Sequence, residues 1–86
     1  MTDIQAAIRE YISEYVLFGD TRVWGENTSF QKSGILDSVG FLELITFIET
    51  KFTIEIASPE LIPGNFDTLR KISDFVERKL REKAEA

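Results

Sequence analysis

The sequence contains neither cysteine nor histidine. The absence of cysteine rules out disulfides and thiolate metal sites as supports for the fold. The absence of histidine excludes Ser-His and Cys-His nucleophilic catalysis within the chain, and it removes the nitrogen ligands that zinc prefers. Only carboxylates, lysines and tyrosines remain for proton transfer, so an independent enzyme is the class of protein that we expect least.

Positive charge and long apolar runs are also scarce. The net charge is −5, which argues against nucleic-acid binding and is compatible with basic protein partners. No apolar run approaches the roughly 20 residues needed to span a bilayer. The N-terminal sequence lacks the features of a signal peptide. We therefore expect a cytoplasmic monomer without a membrane span.

The length of 86 residues predicts a single domain over residues 1–86 with a thin core. Apolar residues at helical spacing predict a first helix over 2–16. Thr2 and Gln5 have the spacing of a capping box, and Gly19 and Asp20 are expected to end the segment. The apolar stripe of this helix consists of Ile4, Ile8, Tyr11 and Tyr15.

A long connection is predicted over residues 18–37. Structureless loops of this length are uncommon in compact domains. We therefore expect its apolar side chains to anchor it, with the aromatic ones in the core. These side chains are Val23, Trp24, Phe30, Ile35 and Leu36.

A second helix is predicted over 38–52, with Asp37 as its N-cap. One face is apolar and is assigned to the core; it comprises Phe41, Leu44, Ile45, Ile48 and Phe52. The other side carries two apolar residues on a face that should be wet, which suggests a docking surface. This surface comprises Val39, Leu42 and Thr46, flanked by the acids Glu43 and Glu49. The plainer alternatives are isolated exposed apolar side chains and a solvated acidic face.

Ser58, Pro59 and Glu60 have the order of an N-cap, a first helical residue and a first-turn acid, which predicts a short third helix ending near Leu61 or Ile62. The alternation over 53–56 could indicate a strand, but no second strand is available to pair with it. Asp67 is expected to cap a last helix over 68–83. The fold class predicted is therefore all-α: a small four-helix bundle of three long helices and one short helix, with a long loop after the first.

Ser38 stands where the loop meets the second helix. This position exposes its hydroxyl at the positive end of a helix dipole, where free backbone N–H groups would stabilise an attached phosphate. Alternatively, Ser38 only helps to cap the helix, although Asp37 can fill that role itself.

The stretch Asp37-Ser38-Val39-x-x-Leu42-Glu43-Leu44 resembles the Asp-Ser-Leu-x-x-Val-Glu-Leu signature of acyl carrier proteins. The similarity continues through the second helix to Phe52 and into the stretch from Phe66 to Leu69. The resemblance implies a four-helix fold in which Ser38 carries a 4′-phosphopantetheine arm. It also implies that Asp37 helps a phosphopantetheinyl transferase to hold its metal ion. The partners implied are that transferase, a ligase that loads the arm and downstream pathway enzymes.

Two departures from typical fatty-acid carriers involve three positions. Gly40 lies in the first turn of the second helix, where glycine costs about 1 kcal/mol relative to alanine; this is more like free-standing carriers of specialised pathways, including D-alanyl-type carriers. Thr50 and Lys51 stand where fatty-acid carriers are often acidic. Phe41 and Phe47 are bulky for an acyl-sequestering interior, which suggests a short or polar cargo.

Three functions remain open. The first is a carrier of acyl thioesters for a fatty-acid-like, polyketide or other specialised pathway. The second is an aminoacyl or peptidyl carrier loaded by an adenylating enzyme, as in nonribosomal peptide synthesis. The third is a helical interaction module that is never modified.

Overall fold

The computed structural model describes residues 3–18 and 23–85. Those residues form an all-α bundle without strands, which confirms the predicted fold class. Three of the helices are long, two are single turns, and a π-turn and a 3₁₀-turn complete the set of helical elements. The elements are α1 Asp3–Tyr11, the π-turn Ile12–Val16, α2 Phe30–Ser33, α3 Ser38–Phe52, the 3₁₀-turn Ser58–Glu60, α4 Pro63–Phe66 and α5 Leu69–Glu85.

The first predicted helix does not stay α-helical to its end. Ile8 and Ile12 are fully buried, but at Ile12 the backbone widens, and the Leu17 N–H donates to the Ile12 carbonyl at 2.9 Å. A π-turn closes i→i+5 bonds, so later side chains rotate off the buried stripe. Tyr15 is consequently 64% exposed, and its assignment to the apolar stripe was wrong. The predicted capping residue Thr2 and the ending residues Gly19 and Asp20 lie outside the described residues.

Phe18 follows the π-turn with a φ of +50°. A bulky side chain in the left-handed region costs about 1–2 kcal/mol, because its Cβ crowds the following carbonyl. The Phe18 side chain is nevertheless 83% exposed. The chain therefore holds a large aromatic group towards solvent in a strained backbone conformation.

The long connection contains a helical turn, α2, that the sequence pattern did not predict. The Ser29 hydroxyl accepts a hydrogen bond from the Lys32 N–H at 3.1 Å, and Gly34 ends the turn with a φ of +76°. Three of the predicted anchors, Phe30, Ile35 and Leu36, are buried, and Trp24 is half-buried. Val23 is 98% exposed, so its prediction as an anchor was wrong.

Helix α3 has the predicted bounds and the predicted cap. The Gly40 N–H donates to Asp37 Oδ1 at 2.7 Å. Leu44, Ile45 and Ile48 are buried, while Phe41 and Phe52 of the same face are partly buried. The apolar face therefore packs on the core as expected.

The segment after α3 forms two turns instead of one short helix. Ser58 is not the N-cap, since the cap position belongs to Ala57, whose N–H donates to Glu60 Oε1 at 2.9 Å. The second turn, α4, begins at Pro63. Proline is well suited to a first helical position, so a further turn begins just after the point where the predicted short helix was expected to end.

Helix α5 is capped by Thr68, whose hydroxyl accepts a bond from the Lys71 N–H at 3.1 Å. The prediction of Asp67 as the cap was wrong, because its carboxylate binds the loop instead. Asp67 Oδ2 accepts from the Ser29 hydroxyl at 2.6 Å, and Oδ1 accepts from the Gln31 N–H at 3.1 Å. The buried face of α5 comprises Leu69, Ile72, Phe75 and Val76.

Candidate functional site

Ser38 is the first residue of α3 and is exposed. The Asp37 side chain occupies one N–H group of the first turn, that of Gly40. Within the described part of the chain, no side-chain hydrogen bond engages the Ser38 hydroxyl. Asp37 therefore caps the helix. Ser38 presents an exposed hydroxyl at the positive end of a helix of 15 residues.

A cavity of about 410 Å³ opens beside Ser38. We call it the Ser38 cavity. It lies between α2, the start of α3 and the segment that contains α4. Its walls are mostly apolar, and polar groups line its remaining part. The apolar lining comprises Phe30, Leu36, Phe41, Leu61, Ile62, Pro63 and Phe66, and the polar lining comprises Gln31, Asp37, Ser38 and Asp67.

The size and lining of the Ser38 cavity suit a small ligand. Binding sites for small molecules occupy about 300–1,000 Å³ and combine apolar walls with few polar groups. Both charged lining residues, Asp37 and Asp67, are acidic. The cavity therefore favours an apolar, neutral or cationic group over an anionic one.

Aromatic side chains bound the depth of the cavity. The Phe41 ring lies edge-on to Phe66 with 5.9 Å between centroids, and Phe66 contacts Phe75 at 4.8 Å. Phe66 and Phe75 are buried. This contact joins the cavity wall to the core, and it limits how far a long chain could enter between α3 and α5.

The wall formed by α4 is fastened at both ends. Before α4, Lys79 Nζ lies 3.0 Å from Glu60 Oε1. The Ala57 N–H and then the Lys79 ammonium lower the pKa of Glu60. After α4, Asp67 binds Ser29 and Gln31 of the loop. Between these fastenings, the Asn65 amide donates to the Glu60 carbonyl at 2.9 Å and Phe66 is buried, while Ile62 is 50% exposed.

The outer face of α3 carries most of the predicted docking surface. Val39 and Leu42 are 64% and 59% exposed, and Glu43 and Thr46 are exposed beside them. The Thr46 hydroxyl donates to the Leu42 carbonyl at 3.2 Å. Three of these side chains, those of Val39, Leu42 and Glu43, are therefore available to a partner at the same end of α3 as Ser38.

Glu49 differs from the other residues of that surface. It is half-buried, and its Oε2 accepts a hydrogen bond from the Ile56 N–H at 3.0 Å. This bond holds the chain that leaves α3. Glu49 thus has a structural contact that its position on the helical wheel did not predict.

Sequence reasoning missed the contribution of the loop to the site. Phe30 and Gln31 of α2 and Asp67 line the Ser38 cavity. One local signal was present: Ser29 and Gly34 stand at the spacing of an N-cap and a left-handed C-cap around a single turn. The role of Asp67 had no local signal, because its partners lie 36 and 38 positions away.

No cluster of side chains suited to a metal ion occurs among residues 3–18 and 23–85. Over the same residues, no helix has both the length and the apolar character needed to cross a membrane.

No protein-family model matches the chain, and no similar sequence was found among curated proteins.

Proposed function

We propose that this protein is a carrier whose Ser38 bears a 4′-phosphopantetheine arm, on which acyl groups are held as thioesters and presented to partner enzymes. The observation that carries the proposal is the exposed Ser38 hydroxyl at the N-terminus of α3 and at the edge of an apolar cavity. The resemblance of residues 37–44 to the acyl carrier signature supports the same function.

The residues around Ser38 fit such an arm. The N-terminus of α3 is a favourable place for the phosphodiester, since helix N-termini stabilise anions. The exposed hydroxyl leaves room for a transferase to reach it, and Asp37 is beside it to assist that enzyme. When attached, the arm would supply the thiol that the chain itself lacks.

The Ser38 cavity supports temporary shielding of the cargo. An arm attached at Ser38 begins at the edge of the cavity. The apolar walls of the cavity would exclude water from a short acyl group. The aromatic contact between Phe41 and Phe66 favours short cargo over long.

A second candidate, an aminoacyl or peptidyl carrier loaded by an adenylating enzyme, is favoured by one observation. The charged residues that line the cavity, Asp37 and Asp67, are both carboxylates, and a carboxylate attracts the ammonium group of an aminoacyl thioester. A loading assay against a panel of adenylating enzymes and acyl ligases would distinguish the two kinds of cargo.

The test of the proposal is the intact mass of the protein after incubation with coenzyme A and a broad-specificity phosphopantetheinyl transferase. We expect a gain equal to one arm, lost in Ser38→Ala and retained in Ser58→Ala, which removes another exposed serine near a helical N-terminus. An active transferase that leaves the folded wild-type protein unmodified would contradict the proposal and favour the unmodified interaction module.

A further inference from the structure

A second depression lies beside the N-terminus of α3 and shares only Asp37 with the Ser38 cavity. It measures about 300 Å³ and lies between the end of the first helical segment and the start of α3. We call it the aromatic groove and define it by Tyr11, Tyr15, Phe18, Val39 and Glu43.

Large apolar side chains of the aromatic groove face solvent. Tyr15, Phe18 and Val39 are 64%, 83% and 64% exposed. Single exposed apolar residues need no explanation, but several together mark interaction sites. Two of these side chains follow departures from regular backbone: Tyr15 lies on the π-turn, and Phe18 has a positive φ. Strained conformations of this kind concentrate at functional sites.

The charge of the groove indicates its partner. Its charged lining residues are Asp37 and Glu43, both acidic, and the exposed Glu14 lies on the π-turn. Burial and then the negative charge of Glu43 raise the pKa of Tyr11, so the field of Glu43 extends into the groove. An acidic rim around an apolar floor complements an apolar side chain flanked by lysine or arginine, and it opposes binding to an anionic lipid surface.

The groove also lies close to Ser38 along the chain. Asp37 and Val39, the residues on either side of Ser38, both line it. A protein seated on the groove is therefore next to the exposed hydroxyl.

We infer that the aromatic groove is the docking surface for the enzyme that modifies Ser38, which would insert an apolar side chain against Phe18 and Tyr15 and place basic side chains by Glu43. This inference rests on the proposed function. It extends the docking surface beyond α3 to residues of the first helical segment.

The test compares two glycine substitutions at the two non-glycine positions described with positive φ, Phe18 and Thr53. Both Phe18→Gly and Thr53→Gly relieve backbone strain, so neither is expected to lower the melting temperature. Only Phe18 lies in the groove. With the phosphopantetheinyl transferase and coenzyme A, we expect Phe18→Gly to raise KM for the carrier about tenfold, as aromatic hot spots do, with kcat little changed. Thr53→Gly should match the wild type.

A second pair of variants tests the charge. Glu43→Gln is expected to raise KM at low salt and to lose this effect at high salt, because rim charges act mainly through screened steering. Glu77→Gln, an exposed acid of α5, is the control and should leave KM unchanged at both salt concentrations. Tyr15→Ser provides an independent variant of the groove and should also raise KM.

The outcomes separate this inference from the proposed function. If the wild-type protein is modified and Phe18→Gly and Tyr15→Ser are modified with wild-type KM, the docking inference is overturned while the carrier function stands. If the wild-type protein is not modified, both are overturned. A wild-type dimer in sedimentation that becomes monomeric in Phe18→Gly would show that a second copy of the chain covers the groove, which also overturns the inference.

Discussion

The carboxylate of Asp67 accepts a 2.6 Å hydrogen bond from the hydroxyl of Ser29, across 38 positions of sequence. The same Ser29 oxygen accepts from the Lys32 N–H, so it caps α2 while its hydroxyl binds Asp67, which follows α4. The backbone supports the connection, since the Phe30 N–H donates to the Asp67 carbonyl at 2.8 Å. This junction fastens the long loop and lines one end of the Ser38 cavity. A second fastening lies nearby, where the Arg70 N–H donates to the Glu26 carbonyl at 2.9 Å.

Ser29→Ala should lower the free energy of unfolding by about 1–2 kcal/mol, because it removes a helix cap and leaves Asp67 without one donor. Urea unfolding followed by the fluorescence of Trp24, which contacts Phe30 at 5.7 Å between ring centroids, would measure the change. Ser58→Ala, at an exposed serine, is the control. Equal stability of the two variants would contradict this role for Ser29.

Glu60 should make the free energy of unfolding fall as the pH falls in the acid range. Its pKa is lowered from 4.5 by the Ala57 N–H and by Lys79, so the folded state favours the carboxylate. A lowered pKa contributes stability that is present above pH 4.5 and is lost as the pH falls through the folded-state value. Melting curves from neutral to acid pH should show Glu60→Gln less stable than the wild type near pH 7, with the difference shrinking below pH 4.5. A difference that stays constant across this range would contradict a lowered pKa of Glu60 in the folded state.

Tyr11 should make the free energy of unfolding fall as the pH rises in the alkaline range. Burial, and then the charge of Glu43, raise its pKa above 10.0, so the folded state favours the neutral phenol. The corresponding stability is present below pH 10 and is lost as the pH rises through the folded-state pKa. Ultraviolet titration in a Tyr15→Phe background should show that Glu43→Gln moves the pKa of Tyr11 back towards 10. An unchanged titration would mean that the charge of Glu43 does not reach the phenol.

If Ser38 bears an acylated arm as proposed, Phe41→Ala should change the length of the acyl chain that the protein shields. Phe41 lines the Ser38 cavity, and its removal would open depth for additional CH₂ groups. Each buried CH₂ is worth about 0.8 kcal/mol, which is about fourfold in occupancy. After loading from acyl-coenzyme A of increasing length, the thioester hydrolysis rates followed by mass should show longer chains protected in Phe41→Ala than in the wild type.

The matched control for that experiment is Phe47→Ala. Phe47 is a half-buried aromatic residue of the same helix, but its ring stacks on Tyr11 at 4.3 Å and does not line the cavity. Phe47→Ala should lower the free energy of unfolding without changing the length of acyl chain that is protected. A change of the same size in both variants would show that general loosening of the bundle, rather than cavity depth, sets the protection.

Local chemistry explains which parts of the fold were predictable. Helix α3 was predicted with its observed bounds because Asp37 and the apolar face that follows are local signals. Gly40, which stood out in the sequence, has a geometric reason: a Cβ there would lie 3.1 Å from Asp37 Oδ1, tight against the carboxylate that caps the helix. In both cases neighbouring residues determine the structure.

Tertiary contacts explain what the sequence did not reveal. Asp67 has the character of a helix cap, but Ser29 and Gln31 engage its carboxylate and Thr68 takes the cap position. Helix α2 is too short to be stable alone and depends on packing. The exposure of Tyr15 depends on a π-turn for which no residue type gives a signal. The position of Ser38 was thus predictable, whereas the cavity and the groove beside it depend on distant parts of the chain.

Ser38 stands between two separate spaces, since the cavity and the groove have only Asp37 in common. A group bonded to Ser38 could rest in the cavity while another protein occupied the groove. In the proposed carrier, shielding of the cargo and docking of the modifying enzyme would then not compete for the same surface. An arm that already bears an acyl group could enter the cavity while that enzyme was still bound at the groove.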